Sequence, residues 1–255
     1  MAVLSVNQLS KAFGGLEAVK NLNIKLEMGE LVGLIGPNGA GKTTAFNLLT
    51  GVYVPTEGEI ILEGKNVTGL KPFQITSLGI ARTFQNIRLF NDLTVLDNLR
   101  IAMHWHQTYP MAAALFRLPQ YFKHEKEIVT QSEEVLEIFD LLDKKDEFAK
   151  NLPYGDQRRL EIARALAARP KVLLLDEPAA GMNPNETKDL MRLIRWLRDH
   201  FNLTILLIEH DMSLVMGVCE RIYVLDHGEI IAEGTPDMIK KDKKVIAAYL
   251  GEEAV

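Results

Sequence analysis

The chain has 255 residues, of which 47% are hydrophobic and 25% charged, and a formal net charge of −5. That length allows one large domain, or a large one carrying a smaller insertion, and the composition is that of a globular protein with a sizeable core. The acidic balance argues against a nucleic-acid partner, whose binding surface is ordinarily basic, and no run approaches the roughly eighteen apolar residues of a membrane span. Cys219 is the single cysteine, so no internal disulfide forms, and it reads as a small buried apolar residue rather than a reactive thiol. Residues 1–7 lack the basic flank and apolar run of a secretory signal, so the expected compartment is the reducing cytosol.

Residues 3–9 and 22–26 alternate apolar and polar side chains, the pattern of half-buried strands. The apolar run 31–35 reads as a buried strand. It leads into Gly36-Pro37-Asn38-Gly39-Ala40-Gly41-Lys42-Thr43-Thr44, which satisfies G-x-x-x-x-G-K-[ST], with Gly36, Gly41, Lys42 and Thr43 in the fixed places. Residues 45–49 read as a helix start. The glycines let the backbone curl so that successive N–H groups point inward at phosphate oxygens. The helix N-terminus behind them adds partial positive charge. Lys42 is expected to neutralise the β- and γ-phosphates, and Thr43 to offer its hydroxyl to Mg²⁺. A strand before and a helix after distinguish this stretch from an ordinary glycine-rich turn. Alone it specifies a nucleoside triphosphate with Mg²⁺ and leaves kinase, GTPase and transport motor all open.

Residues 58–64 read as a further strand bounded by glycines, so the early strands suggest an antiparallel sheet beside a parallel core. The character changes after Gln85. Residues 94–103 and 125–142 carry apolar side chains at helical spacing, and little β signal appears before about residue 150. Between them, residues 105–123 are aromatic and proline-bearing. They suit a packing satellite and a partner-contact surface equally well. Strands return at 172–175, 204–208 and 221–225; the first two are continuous apolar runs, typical of strands buried on both faces of a parallel sheet. Helices at 185–200 and 212–218 separate them. This alternation implies an α/β domain, with the helical block inserted into it. Residues 235–251 read as two short helices opened by Thr235-Pro236-Asp237.

The run 172–175 ends in Asp176-Glu177-Pro178. A hydrophobic strand ending in Asp can set that carboxylate beside the phosphate loop, where it holds Mg²⁺ directly or through water. Glu177 follows at the carboxyl end of the strand, where ligands sit in open α/β sheets. There it can orient or deprotonate a water attacking the γ-phosphate. A strand ending in a solvated acidic pair is the plain alternative, which the upstream phosphate loop disfavours.

With these two motifs the chain resembles the nucleotide-binding subunit of an ABC (ATP-binding cassette) transporter over nearly its whole length. The resemblance implies an α/β fold of the phosphate-loop NTPase type: a mostly parallel core sheet, an antiparallel β subdomain and an inserted α-helical subdomain. Residues 1–85 and 151–255 would form the core and 86–150 the insertion, ending at the signature motif. Phe13 matches the family's aromatic that stacks on adenine. Gln85, in Thr83-Phe84-Gln85-Asn86, matches the Q-loop glutamine that touches Mg²⁺ or the attacking water; nothing local separates it from a polar loop residue. Residues 152–157 fall at the signature, usually Leu-Ser-Gly-Gly-Gln. Gly155 matches its second glycine, whereas Pro153, Tyr154 and Asp156 depart from it. Pro153 has neither hydroxyl nor N–H, so a γ-phosphate contact there would rest on backbone groups such as the Gly155 N–H. Asp156 would repel a phosphate unless turned away. Ala180-Gly181-Met182-Asn183 matches the D-loop. His210 matches the switch histidine that hydrogen-bonds the γ-phosphate.

Finer features resemble the LivG-type ATPase of branched-chain amino-acid importers: residues 154–164, 178–184, 207–212 and the end Tyr249-Leu250-Gly251. Urea importers and the lipopolysaccharide-export ATPase share several of them. The resemblance implies ATP and Mg²⁺ as ligands and a second cassette, itself or a paralogue, completing a nucleotide sandwich. It also implies two membrane permeases, an extracytoplasmic solute-binding protein acting indirectly, and a peripheral place on the cytoplasmic face. A small-molecule kinase would need an acceptor pocket and lid and has no use for the signature helix with His210. Non-transport cassette proteins commonly join two cassettes or carry basic or coiled-coil additions, which this chain does not show.

Overall fold

The structure is a computed structural model that describes residues 2–104 and 111–250. Contacts divide the chain into two units, residues 1–85 with 171–255 and residues 86–170.

The first unit holds two sheets. One is antiparallel, in the order β2-β1-β4-β5, from β1 (Ala2–Phe13), β2 (Leu16–Glu27), β4 (Glu57–Leu62) and β5 (Lys65–Asn66). The other holds β3 (Leu31–Ile35), β6 (Ile80–Arg82), β7 (Val172–Asp176), β8 (Thr204–Ile208), β9 (Arg221–Asp226) and β10 (Glu229–Gly234), in the order β10-β9-β3-β8-β7-β6. Only β10 runs antiparallel in it. Strands β3, β7 and β8 are buried at every residue, which is why they read as unbroken apolar runs. Between them run α1 (Lys42–Leu49), α2 (Pro72–Leu78), α7 (Pro184–Phe201) and α8 (Met212–Val218). Gly33 marks the close approach of α8 to the sheet: a Cβ there would lie 3.0 Å from Val215 Cγ1 and 3.1 Å from Cys219 Sγ. Cys219 is buried and its thiol is pushed up to about 12, chiefly by burial, which disfavours the reactive thiolate. The chain closes with α9 (Pro236–Ile239) and α10 (Lys243–Leu250).

Parallel strands send their carboxyl ends to one edge. The register pairs Asp176 with Ile208 and Arg82 with Leu174, so the residues after β6, β7 and β8 emerge together. The loop after β3 emerges at the same edge, one strand beyond β8.

The second unit holds α3 (Val95–Met103), α4 (Met111–Leu115), α5 (Pro119–Ile138) and α6 (Tyr154–Ala167). Thr94 caps α3 by accepting the Asp97 N–H at 3.0 Å. Helix α3 packs on both α5 and α6. Buried Asn98 accepts the Phe90 N–H at 3.0 Å and donates to Phe90 O at 3.1 Å, pinning the preceding loop to α3. Two details differ from the sequence expectation. Helix α5 begins at Pro119 rather than 125, because proline is tolerated in a first helical turn, so residues 119–123 of the aromatic excursion are helical; residues 105–110 lie outside the described residues. The unit closes at 170 rather than 150, because α6 packs against α3 and α5.

Candidate nucleotide site

Gly36 leaves β3 with φ of 155° and Gly41 enters α1 with φ of 104°. A Cβ on Gly36 would lie 1.9 Å from Leu225 O, and one on Gly41 2.4 Å from Ala18 O. Only glycine admits this curl against neighbouring backbone. Helix α1 has no side-chain cap and no acidic residue in its first turn. Its N-terminal N–H groups are therefore left for an external acceptor, the arrangement that suits an anion. Pro37, Asn38, Gly39 and Ala40 form the turn between, while Thr43 is exposed and Thr44 half-buried on the first turn. Lys42 is buried, and its Nζ donates to Gly36 O at 2.7 Å and Pro37 O at 2.9 Å. Burial lowers its pKa, opposed by the charges of Glu177 and Asp176. The loop thus holds a desolvated cation next to two carboxylates, a fit for phosphate and for the metal that accompanies it.

Asp176 and Glu177 follow one another yet sit in different surroundings. Asp176, the last residue of β7, is buried; its Oδ2 accepts from Arg82 Nη2 at 2.7 Å, and its N–H donates to Thr83 Oγ1 at 3.3 Å. Glu177 turns into the left-handed region, φ 47°, with its N–H donating to Ile208 O at 2.9 Å. A positive φ on a non-glycine residue costs free energy that the surroundings must offset, and such residues cluster at functional sites. Its two oxygens are separately held: Gln85 Nε2 donates to Oε2 at 2.7 Å, and His210 Nε2 lies 2.5 Å from Oε1. Gln85, Glu177 and His210 are over ninety residues and over thirty residues apart in pairs, yet form one cluster. The strand ends supply the reason, since each follows a neighbouring parallel strand.

Behind this cluster, Glu209 is buried and accepts the Ala179 N–H at 2.9 Å and the His210 N–H at 3.2 Å. Burial raises its pKa, with these backbone donors opposing. Asn183, at the D-loop position, caps α7: its Oδ1 accepts the N–H of Asn185 at 3.0 Å and of Glu186 at 3.1 Å. Asparagine serves there as a capping residue. Phe13 ends β1 and is half-exposed, at a T-shaped contact with Tyr53, 5.2 Å between centroids, with the Lys11 ammonium 5.1 Å from its ring centroid.

In the helical unit, Pro153 is the residue before α6 and Gly155 lies in its first turn; no side chain caps this helix. Asp156 is turned to Lys144, whose Nζ donates to Oδ2 at 2.6 Å. Gln157 donates to Leu152 O at 2.8 Å, and Arg158, fully buried, donates to Glu161 at 2.9 Å and to the Tyr154 hydroxyl at 3.2 Å. Glu161 also accepts the Arg88 N–H at 3.0 Å, fixing the segment after Gln85 to the signature helix within this unit. Sequence reasoning did not find Arg82, Thr83, Glu209 or Lys144. Arg82 and Glu209 carry the one available signal, a charged residue at the end of an otherwise apolar strand.

A phosphate loop after β3, a carboxylate pair after β7 and a histidine after β8 define a phosphate-loop NTPase. The ABC transporter family profile matches residues 19–180, and a profile of branched-chain amino acid ATP-binding cassette transporters matches residues 229–255. The chain belongs to the ABC transporter family, as its nucleotide-binding cassette and transport ATPase. It is 51% identical, over 98% of both chains, to the high-affinity branched-chain amino acid transport ATP-binding protein LivG of Escherichia coli K12. Its fold matches an ATP-binding cassette of an ABC transporter solved in the ADP conformation, with a TM-score of 0.85, 32% identity, and 99% and 100% of the two chains covered. A dimeric cassette solved in a post-hydrolysis state with ADP and Pi matches with a TM-score of 0.77 and 26% identity, over 91% and 98% of the chains. The expected class, an α/β cassette with parallel and antiparallel sheets, is therefore the observed one. Among the described residues no helix is long and apolar enough to cross a membrane.

Proposed function

We propose that this chain hydrolyses ATP to drive uptake of branched-chain amino acids through partner permeases, as one of two cassettes in a nucleotide sandwich. The observation that carries the catalytic part is Glu177, whose two oxygens are held by Gln85 and His210 beside the phosphate loop. Likeness to LivG supports the solute class.

Phosphates bind the backbone N–H groups of residues 36–44 and Lys42, and adenine stacks on Phe13. Glu177 accepts a proton from the water that attacks the γ-phosphorus. The new P–O bond forms as the bond to the β–γ bridging oxygen breaks, giving ADP and phosphate. Gln85 and His210 hold the Glu177 carboxylate in direction, and the half-exposed His210 imidazole would hydrogen-bond the γ-phosphate through a ring nitrogen. Electrostatic stabilisation by such prearranged groups is the main catalytic term in phosphoryl transfer. Mg²⁺ neutralises the phosphate charge when bound. Thr43, Gln85 and Asp176 offer it hydroxyl, amide and carboxylate oxygens, the hard donors it prefers.

In the sandwich, the phosphate loop of this cassette faces the signature of a second cassette, and its own 152–157 stretch faces the nucleotide that the other holds; the dimeric cassette solved with ADP and Pi supports this arrangement. Gly155 and the first N–H groups of α6 would contact the γ-phosphate held by that partner. Asp156, neutralised by Lys144, does not oppose this. Two membrane permeases, which hold the chain at the cytoplasmic face, and an extracytoplasmic binding protein complete the importer. The test is to purify the chain with its membrane partners and measure ATP hydrolysis with added solutes. Leucine, isoleucine or valine, presented with the binding protein, should stimulate turnover. Stimulation by urea alone, or none by any of the three amino acids, would sink the solute assignment.

A further inference from the structure

We infer that Arg82 is a positioning residue for the metal-binding carboxylate, holding Asp176 in the direction from which it meets Mg²⁺. This rests on the reading of Asp176 as a metal ligand.

The Arg82 side chain is only 6% exposed. Nη2 donates to Asp176 Oδ2 at 2.7 Å, and Nη1 donates to Asn47 Oδ1 at 2.7 Å, with Thr50 Oγ1 at 3.4 Å. The guanidinium lies against two aromatic rings, 5.4 Å from the Phe46 centroid and 5.1 Å from that of Phe84. It is therefore fixed in four directions, by α1 through Asn47 and Phe46, by the following loop through Phe84, and by β7 through Asp176. A buried cation restrained this tightly sets the angle of whatever accepts from it. It engages Oδ2 and leaves Oδ1 without a hydrogen bond among the described residues.

The same short segment grips both carboxylates. Arg82 takes Asp176 Oδ2, Thr83 Oγ1 takes the Asp176 N–H, and Gln85 takes Glu177 Oε2. The loop that carries Gln85 is thus the support of the metal carboxylate as well. Groups that hydrogen-bond a metal ligand orient it, and their loss typically costs about 10–100-fold in metal affinity or activity.

Lysine in this place keeps the charge but offers one point instead of a planar fork, so it cannot hold Asn47 and Asp176 with two separate nitrogens as the guanidinium does. The experiment measures Mn²⁺ binding by electron paramagnetic resonance to the full chain loaded with ATP, and the affinity for a fluorescent ATP analogue in EDTA. Arg82→Lys should weaken Mn²⁺ binding about tenfold or more while leaving metal-free nucleotide affinity unchanged. Asn47→Ala, which loosens the guanidinium from its other side, should weaken Mn²⁺ binding in the same direction but less. A purely structural role would lower both affinities together and overturns the proposal, as does unchanged or tighter Mn²⁺ binding in Arg82→Lys. Asp176→Asn is the control for the underlying reading. If it binds Mn²⁺ as well as the unaltered chain, both fail; if it loses Mn²⁺ while Arg82→Lys keeps it, only the role of Arg82 fails.

Discussion

Around Asp176 and Glu177 the side chains arrive from four strands: Lys42 after β3, Arg82 and Gln85 from β6 onward, the carboxylates from β7, His210 after β8. Arg82 pairs with Asp176, and Gln85 and His210 both hold Glu177, while Lys42 bonds the loop carbonyls of Gly36 and Pro37 and feels both carboxylates through their charge. The 152–157 stretch is the opposite kind of construction. It is the start of one helix, and what it presents is backbone N–H groups with no side-chain cap. A site assembled from interlocked side chains fixes the type of each residue, since removing one strands its partner. A site made of backbone at a helix start leaves its side chains free to vary. The phosphate loop keeps every fixed place of its pattern, whereas Pro153 and Asp156 depart from the usual signature residues.

That contrast can be broken by substitution. Glu177→Gln keeps the hydrogen bond from Gln85 but removes the base, so turnover in the assembled complex should fall about 100-fold or more with ATP still bound; a rate near that of the unaltered protein would remove Glu177 from its role. Lys42→Ala takes a charge-assisted donor from the phosphates and also frees Gly36 O and Pro37 O. Nucleotide affinity should drop at least about tenfold, the lower bound for a lost hydrogen bond to a charged group; an unchanged titration with a fluorescent nucleotide contradicts the phosphate-loop assignment. In the helical unit the effects should be smaller. Lys144→Ala should cost about 1 kcal/mol or less of stability, the usual scale for a partly exposed ion pair. It should also slow hydrolysis a few-fold by leaving Asp156 uncompensated, and Asp156→Asn in the same chain should restore the rate. If the double variant stays slow, Lys144 acts otherwise than through Asp156. Pro153→Ser should change turnover by less than about twofold, because the backbone at this helix start supplies the contact; a collapse in rate would mean the proline itself is required.

Much of the core was legible from residues alone. Strands β3, β7 and β8 are apolar throughout because both faces are covered, and this pattern needs no tertiary knowledge to read. The phosphate loop was legible for a related reason. Its glycines are demanded by local backbone geometry, and the structure adds only what the missing Cβ atoms would have struck, Leu225 O and Ala18 O. The extent of α5 was obscured by Pro119 and the surrounding aromatics, which look like a loop until the helix is seen to start on the proline. Strand β10 and helix α2 left no clear apolar pattern because little of them is buried: no residue of β10, and only Ile75 of α2.

What no reading of the sequence reached was pairing. Asp156 next to a phosphate-binding helix start looked like a repulsive charge, and only the fold brings Lys144, twelve residues earlier, to its side chain. Arg82 and Asp176 are ninety-four residues apart, and Gln85 and Glu177 ninety-two. Residue pattern is enough to tell which strands are buried, where the backbone must curl round an anion and which residue types stand at the strand ends, because these depend on periodicity and local sterics. Which of those end residues meet is set by the fold. Parallel register delivers β6, β7 and β8 to one edge, and the partner of each buried charge is set there.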